Sequence, residues 1–93
     1  TQKFKEMMDE GVRVDVRTLD EFKEGKIGKP FLIDFYDQDF TKKLLELDKE
    51  KTYLLYCRTG GRSLSALNFM KENGFEKVYH LTGGIEAWNE EFL

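Results

Sequence analysis

Short apolar runs alternate with segments of helical spacing along the whole chain, and that alternation restricts the fold more than any single residue does. VRVDV, Val12 to Val16, alternates with period two and is β-branched, which predicts a strand. FLIDF, centred on Leu32 and Ile33, and VYHL, Val78 to Leu81, are two further candidates. YLLYC, Tyr53 to Cys57, is continuously apolar, as expected of a strand buried on both faces. Between these runs, KFKEMMDEG places Phe4, Met7 and Met8 at helical spacing and stops at Gly11, a natural residue to follow a helix. In RTLDEFKEG, Thr18 and Glu21 have the spacing of a capping box, and Gly25 ends a short helix. The segment from Gln38 to Lys49 carries Phe40, Leu44 and Leu47 on one side, which predicts a surface helix. SLSALNFMKENG carries Ala66, Leu67 and Met70 on one face and ends at Gly74. After Thr82-Gly83-Gly84, a last helix turns Ile85, Trp88 and Phe92 inward. Strands alternating with helices of this length imply an α/β domain with a mostly parallel sheet.

Ninety-three residues without repeats or Pro/Gly/Ser-rich linkers make one domain, residues 1–93, with a single core. Charged residues make up 35% of the chain with both signs interspersed, which suits a soluble monomer. A net charge of −3 and the lack of a Lys/Arg stripe argue against a nucleic-acid partner. No apolar run approaches a membrane span and the start shows no signal-peptide pattern, so no membrane partner is expected. The first residue is Thr1 rather than Met, consistent with processing or trimming. A cytoplasmic location is expected, or a periplasmic one if a leader was removed. One cysteine excludes an internal disulfide, and one cysteine with one histidine argues against a structural zinc. No metal or other cofactor is expected.

In open parallel sheets, sites form outside the carboxyl ends of the strands. Cys57 stands at such an end, followed by CRTGGRS. A Gly-containing turn there can aim backbone N–H groups at an anion, and the next helix adds the positive end of its dipole. A thiol in that position is pushed toward thiolate. Arg58 and Arg62 bracket the glycines with positive charge and bidentate donors for an oxyanion. Composition and periodicity alone leave two readings open, because a lone cysteine at a strand end also serves as a small packed hydrophobe. The Gly-Gly pair and the arginines weigh toward a nucleophile, since an inert cysteine needs neither.

Three motifs carry a family resemblance. CRTGGRS, Cys57 to Ser63, resembles the active-site loop of the rhodanese (thiosulfate sulfurtransferase) homology domain, C-x-x-G-x-R-S. DVRTLDEFKEGKI, Asp15 to Ile27, and LTGGIEAW, Leu81 to Trp88, resemble that family's upstream and carboxyl-terminal signatures, in its order and spacing. The resemblance implies a three-layer α/β fold, its central, mostly parallel sheet five-stranded, with helices on both faces. The short first strand often found ahead of the first helix is missing. It also implies a ping-pong sulfur transfer. A small anionic donor such as thiosulfate would pass its outer sulfur to Cys57, and cyanide, a thiol or a protein would take it away. Arg58, Thr59, Gly60, Gly61, Arg62 and Ser63 would cradle the persulfide. Arg58 and Arg62 would attract the donor and steady the departing sulfite, Arg62 alternatively being structural.

Asp15 and Arg17 read as a buried ion-pair network steadying the loop, with Glu21 as a cap or as the partner of Arg17. Four residues separate Cys57 from Arg62, a ring one residue shorter than the C-x₅-R loop of related phosphatases, whose arginine position here is Ser63. A smaller ring suits a sulfur atom, and no neighbour supplies the general acid that phosphatase chemistry wants. GKIGKP departs from the family's G-H-I-x-G-A at Lys26, Lys29 and Pro30, in a segment expected to border the sheet away from the loop. His80 reads as a satisfied structural histidine, and Tyr36, Asp37 and Asp39 as part of an unremarkable connection beside the pocket. An interaction or sulfur-relay module on the same fold is the competing function.

Overall fold

The computed structural model describes all 93 residues. Four strands, β1 (Val12–Asp15), β2 (Phe31–Leu32), β3 (Tyr53–Tyr56) and β4 (Val78–His80), form one sheet in the order β2-β1-β3-β4. Every pairing is parallel. Five helices complete the chain: α1 (Gln2–Met7), α2 (Leu19–Glu24), α3 (Phe40–Leu45), α4 (Gly61–Glu72) and α5 (Gly84–Phe92). The sheet has four strands where five were implied, and the first element is the helix α1.

Strand alternation divides the core into two layers. Val14, Tyr53, Leu55 and Cys57 face Phe40 and Leu44 of α3 and Ala66 and Met70 of α4. Leu54 and Tyr56 face Phe4 of α1 and Ile85 of α5 on the other side. All four residues of β3 are buried, which accounts for its unbroken apolar run. Each such side chain contributes about 1.5–3 kcal/mol by leaving water. α2 buries none of its residues, so its place depends on its cap and its polar contacts.

Two expectations about the helices are corrected. α3 is shorter than the 38–49 pattern because aspartates compete for the backbone at both ends. Asp37 accepts the N–H of Asp39, and Asp48 accepts that of Glu50, each fixing a turn where helix was expected. Leu47 nonetheless packs against the core from outside the helix. Gly11 lies four residues beyond the end of α1, and space explains it better than capping: a Cβ there would sit 2.8 Å from the Leu54 Cγ.

All four strands end at the same edge of the sheet. The chain's order across the sheet reverses between β1 and β3, the place where α/β domains open a crevice. Asp15 ends β1 there, and Cys57 directly follows β3.

Candidate active site

The loop from Cys57 closes onto the amino end of α4. Gly60 takes φ 111°, a left-handed turn open to glycine, and this reverses the chain over the sulfur. The Gly60 N–H donates to Cys57 Sγ at 3.1 Å and the Ser63 N–H at 3.4 Å. Ser63 Oγ lies 3.5 Å from the sulfur. Cys57 is 1% exposed, on the floor of the ring. Burial alone would push its thiol up. The Ser63 hydroxyl and the N–H groups of Ser63, Gly60 and Thr59 outweigh that burial and bring the thiol below its ordinary value.

α5 holds the loop from the far side. The Ile85 N–H donates to the Cys57 carbonyl at 2.9 Å and the Glu86 N–H to the Arg58 carbonyl at 3.2 Å. Gly84 makes that approach possible, because a Cβ there would lie 2.2 Å from the Arg58 oxygen and 2.6 Å from the Cys57 oxygen. The Gly83-Gly84 pair thus does more than turn the chain into a helix.

Both arginines are paired with a carboxylate. Arg62 makes a bidentate pair with Glu21 of α2 at 2.8 and 3.0 Å, and its guanidinium lies over the Tyr36 ring. The Arg62 guanidinium holds the Glu21 carboxyl down to about 2. Arg58 reaches out to Glu86 at 2.7 Å, with both side chains largely in solvent. Thr59 and Gly61 are exposed on the rim of the ring.

Asp15 and Arg17 form the expected buried pair, at 2.7 Å between Asp15 Oδ2 and Arg17 Nη2. Arg17 also donates its own N–H to Asp15 at 2.9 Å and an Nη2 proton to the Gly25 carbonyl at 2.6 Å. The pair therefore clamps both ends of the α2 segment. Glu21 takes a double role, closing the capping box with Thr18 and gripping Arg62. It makes no hydrogen bond to Arg17. Support runs from Asp15 through Arg17 to α2, and from Glu21 to Arg62 at the loop.

The GKIGKP segment comes closer to the loop than expected at its first residue. Gly25 lines a hollow of about 300 Å³ together with Arg17, Glu24, Arg58 and Glu86. Sequence reasoning gave His80 no place at the site and put Tyr36 in a connection beside the pocket without a role. Tyr36 is the platform under Arg62, and His80 Nδ1 lies 3.0 Å from Ser63 Oγ. The signal for His80 was its position at the carboxyl end of β4, beside the strand that carries Cys57. No helix is long and apolar enough to cross a membrane.

The family model of the rhodanese-like domain matches residues 1–91. A thiosulfate sulfurtransferase, GlpE, of Coxiella burnetii is 37% identical over 78 residues, covering 83% of this chain and 70% of that protein. A tRNA uridine(34) hydroxylase of Cytophaga hutchinsonii is 41% identical over 86 residues, which cover 89% of this chain but 28% of the longer protein. Among solved structures, a rhodanese-related protein of Thermoplasma volcanium superposes with a TM-score of 0.88 at 27% identity, covering 98% of this chain and 88% of that one. From its Asp15 clamp to the ring around Cys57, the chain belongs to the rhodanese-like domain family.

Proposed function

We propose that this protein is a sulfurtransferase that carries sulfane sulfur as a persulfide on Cys57, taking it from thiosulfate or a related anionic donor. The observation that carries the reading is the ring itself. Backbone N–H groups of Gly60 and Ser63 converge on a buried sulfur inside a six-residue loop, and the thiol is held below its ordinary value. The name of the Coxiella relative supports the donor class.

The Cys57 thiolate attacks the outer sulfur of the donor. A new S–S bond forms, the donor's own S–S bond breaks, and its electron pair leaves with sulfite. The N–H groups that stabilise the thiolate then serve the persulfide anion, so the enzyme gives up no stabilisation as the sulfur arrives. A thiophilic acceptor attacks the terminal sulfur and the pair returns to Cys57. Arg58, exposed and held only by an exposed carboxylate, is free to exchange Glu86 for the incoming anion. Arg62 is fixed to Glu21 and shapes the loop.

Incubation with thiosulfate and intact-mass measurement tests this directly. The protein is expected to gain one sulfur atom, and to form thiocyanate once cyanide is added; Cys57→Ser loses both. Well-folded protein that gains no sulfur from several sulfane donors would refute the reading. The 1% exposure of Cys57 favours one second reading, a relay module loaded by a partner protein. That reading predicts loading from a protein persulfide but none from thiosulfate.

A further inference from the structure

His80 is the only histidine in the chain, and it touches the loop through Ser63. Its Nδ1 is 3.0 Å from Ser63 Oγ, and that oxygen is 3.5 Å from Cys57 Sγ. Ser63 is fully buried. A hydroxyl has one proton to give, and three acceptors surround this one: Sγ, Nδ1 and the Gly60 carbonyl at 3.2 Å. Its direction is therefore set by what its neighbours carry. Beside a neutral thiol, Sγ–H donates to Oγ, and Oγ–H turns to a bare Nδ1, leaving the imidazole proton on Nε2. Beside a thiolate, Oγ–H has to turn to the sulfur, and Nδ1 has to carry a proton to donate to Oγ.

The far side of the imidazole is open. Nε2 has no protein partner and is not sealed from solvent. His80 lines a hollow of about 200 Å³ with Thr1, Lys3, Phe4, Tyr79 and Thr82. Besides His80 itself, the charged side chain on that hollow is the Lys3 ammonium, with no carboxylate among its lining. Toward the loop, it reaches the ionisable Cys57 through Ser63. Cys57 is 1% exposed, so little water touches it on the loop side, and Ser63 and His80 offer its proton a second way out.

We propose that Ser63 and His80 form a proton path from Cys57 to this second hollow. As the thiol ionises, its proton passes to Ser63 Oγ, the original Ser63 proton passes to His80 Nδ1, and the Nε2 proton leaves to water. The sum is one proton lost from Cys57 and an imidazole changed from its Nε2–H to its Nδ1–H tautomer. No redox partner is needed. The path rests on the reading of Cys57 as a thiolate nucleophile. His80 is a positioning residue in it, acting only through the Ser63 hydroxyl. Burial lowers the imidazole's affinity for a second proton, which favours exchange of tautomers over a stored imidazolium.

Nitrogen NMR of the full chain with labelled histidine reads both ring nitrogens without ambiguity, because there is one histidine. Alkylation of Cys57 across pH gives its ionisation midpoint independently. At a pH where alkylation shows the thiolate, the wild type is expected to hold the proton on Nδ1. Cys57→Ser at the same pH, with a neutral hydroxyl in place of the sulfur, is expected to hold it on Nε2. Ser63→Ala, which fits the buried space, is expected to raise the Cys57 midpoint by about one pH unit. His80→Phe is expected to raise it in the wild type and to add nothing in the Ser63→Ala background. The same tautomer in wild type and Cys57→Ser overturns the path, as does an equal His80→Phe effect with and without Ser63. None of these measurements requires turnover. A tautomer switch without sulfur loading would therefore sink the sulfurtransferase reading and leave the path standing.

Discussion

Replacing Glu21 with Gln removes one charge while leaving a side chain that can still accept the Thr18 N–H, so the capping box survives and the pair with Arg62 does not. The Glu21 carboxyl falls from an ordinary 4.5 to about 2 in the folded protein, first because of its hydrogen bonds from Arg62. A lowered carboxylate stabilises the fold above its unfolded value and withdraws that stability as pH falls through the folded one. The window is therefore from about 4.5 down to about 2, with the full effect present at neutral pH. If the pair were dry, the shift would amount to about 3 kcal/mol. Solvent reaches 18% of the Arg62 side chain and 23% of the Glu21 side chain, and screening reduces the expected figure to about 1–2 kcal/mol. Urea unfolding followed by the single tryptophan, Trp88, measures it. At pH 7, Glu21→Gln is expected to be less stable than wild type by that amount, and the gap is expected to close steadily from about pH 4.5 down to about 2. A gap that stays constant with pH would mean that shape, not charge, ties α2 to the loop.

Gly84→Ala places a Cβ against the Arg58 and Cys57 carbonyls at φ 65°, so it is expected to lower thermal stability sharply and to abolish sulfur loading, as read by calorimetry and intact mass. Tyr56→Phe strips the buried Ile27 N–H of its acceptor, now at 3.1 Å. It is expected to cost about 1–3 kcal/mol in urea unfolding while leaving the sulfur-transfer rate per folded molecule unchanged. Arg58→Ala is expected to raise KM for thiosulfate without moving the melting temperature, and Glu86→Gln, which frees Arg58, to lower KM; equal KM values in both would remove Arg58 from donor capture.

Local rules made most of the fold legible. The capping box at Thr18 and Glu21, the buried run of β3 and the helical faces of α4 and α5 depend on neighbours within a few residues, and they appear where the pattern places them except at Phe92, which stacks on Trp88 outside the core. Cys57 was legible for the same reason, since its loop is contiguous from strand to helix. What sequence spacing does not carry is pairing across the chain. Arg62 finds Glu21 forty-one positions away, and Arg58 finds Glu86 twenty-eight away. Both arginines looked like free charges on the loop because their carboxylates sit on other helices. His80 hid behind the same blindness: nothing within its own strand marks it, and its partner Ser63 is seventeen positions earlier.

Those distant pairings change which forces hold the sulfur. With Arg62 paired to Glu21 and Arg58 turned out to Glu86, what chiefly lowers the Cys57 thiol is a set of hydrogen bonds, to which the Arg62 charge adds. Their donors are dipoles, which act over a short range and depend on aim. Their aim is set by three constraints outside the loop: the left-handed turn at Gly60, the α5 N–H groups on the Cys57 and Arg58 carbonyls, and the Glu21–Arg62 grip on the first turn of α4. A buried guanidinium beside the sulfur would hold a departing sulfite as firmly as the arriving donor. On the proposed chemistry, aimed dipoles would favour the charged sulfur over the anion that has just left it, as a carrier that keeps one sulfur and releases the rest would require. Under the proposed chemistry, weakening any one of the three constraints should therefore raise the Cys57 ionisation midpoint before it unfolds the protein. Alkylation of Glu21→Gln across pH tests that order of events, and an unchanged midpoint alongside lost stability would break the link between α2 and the sulfur.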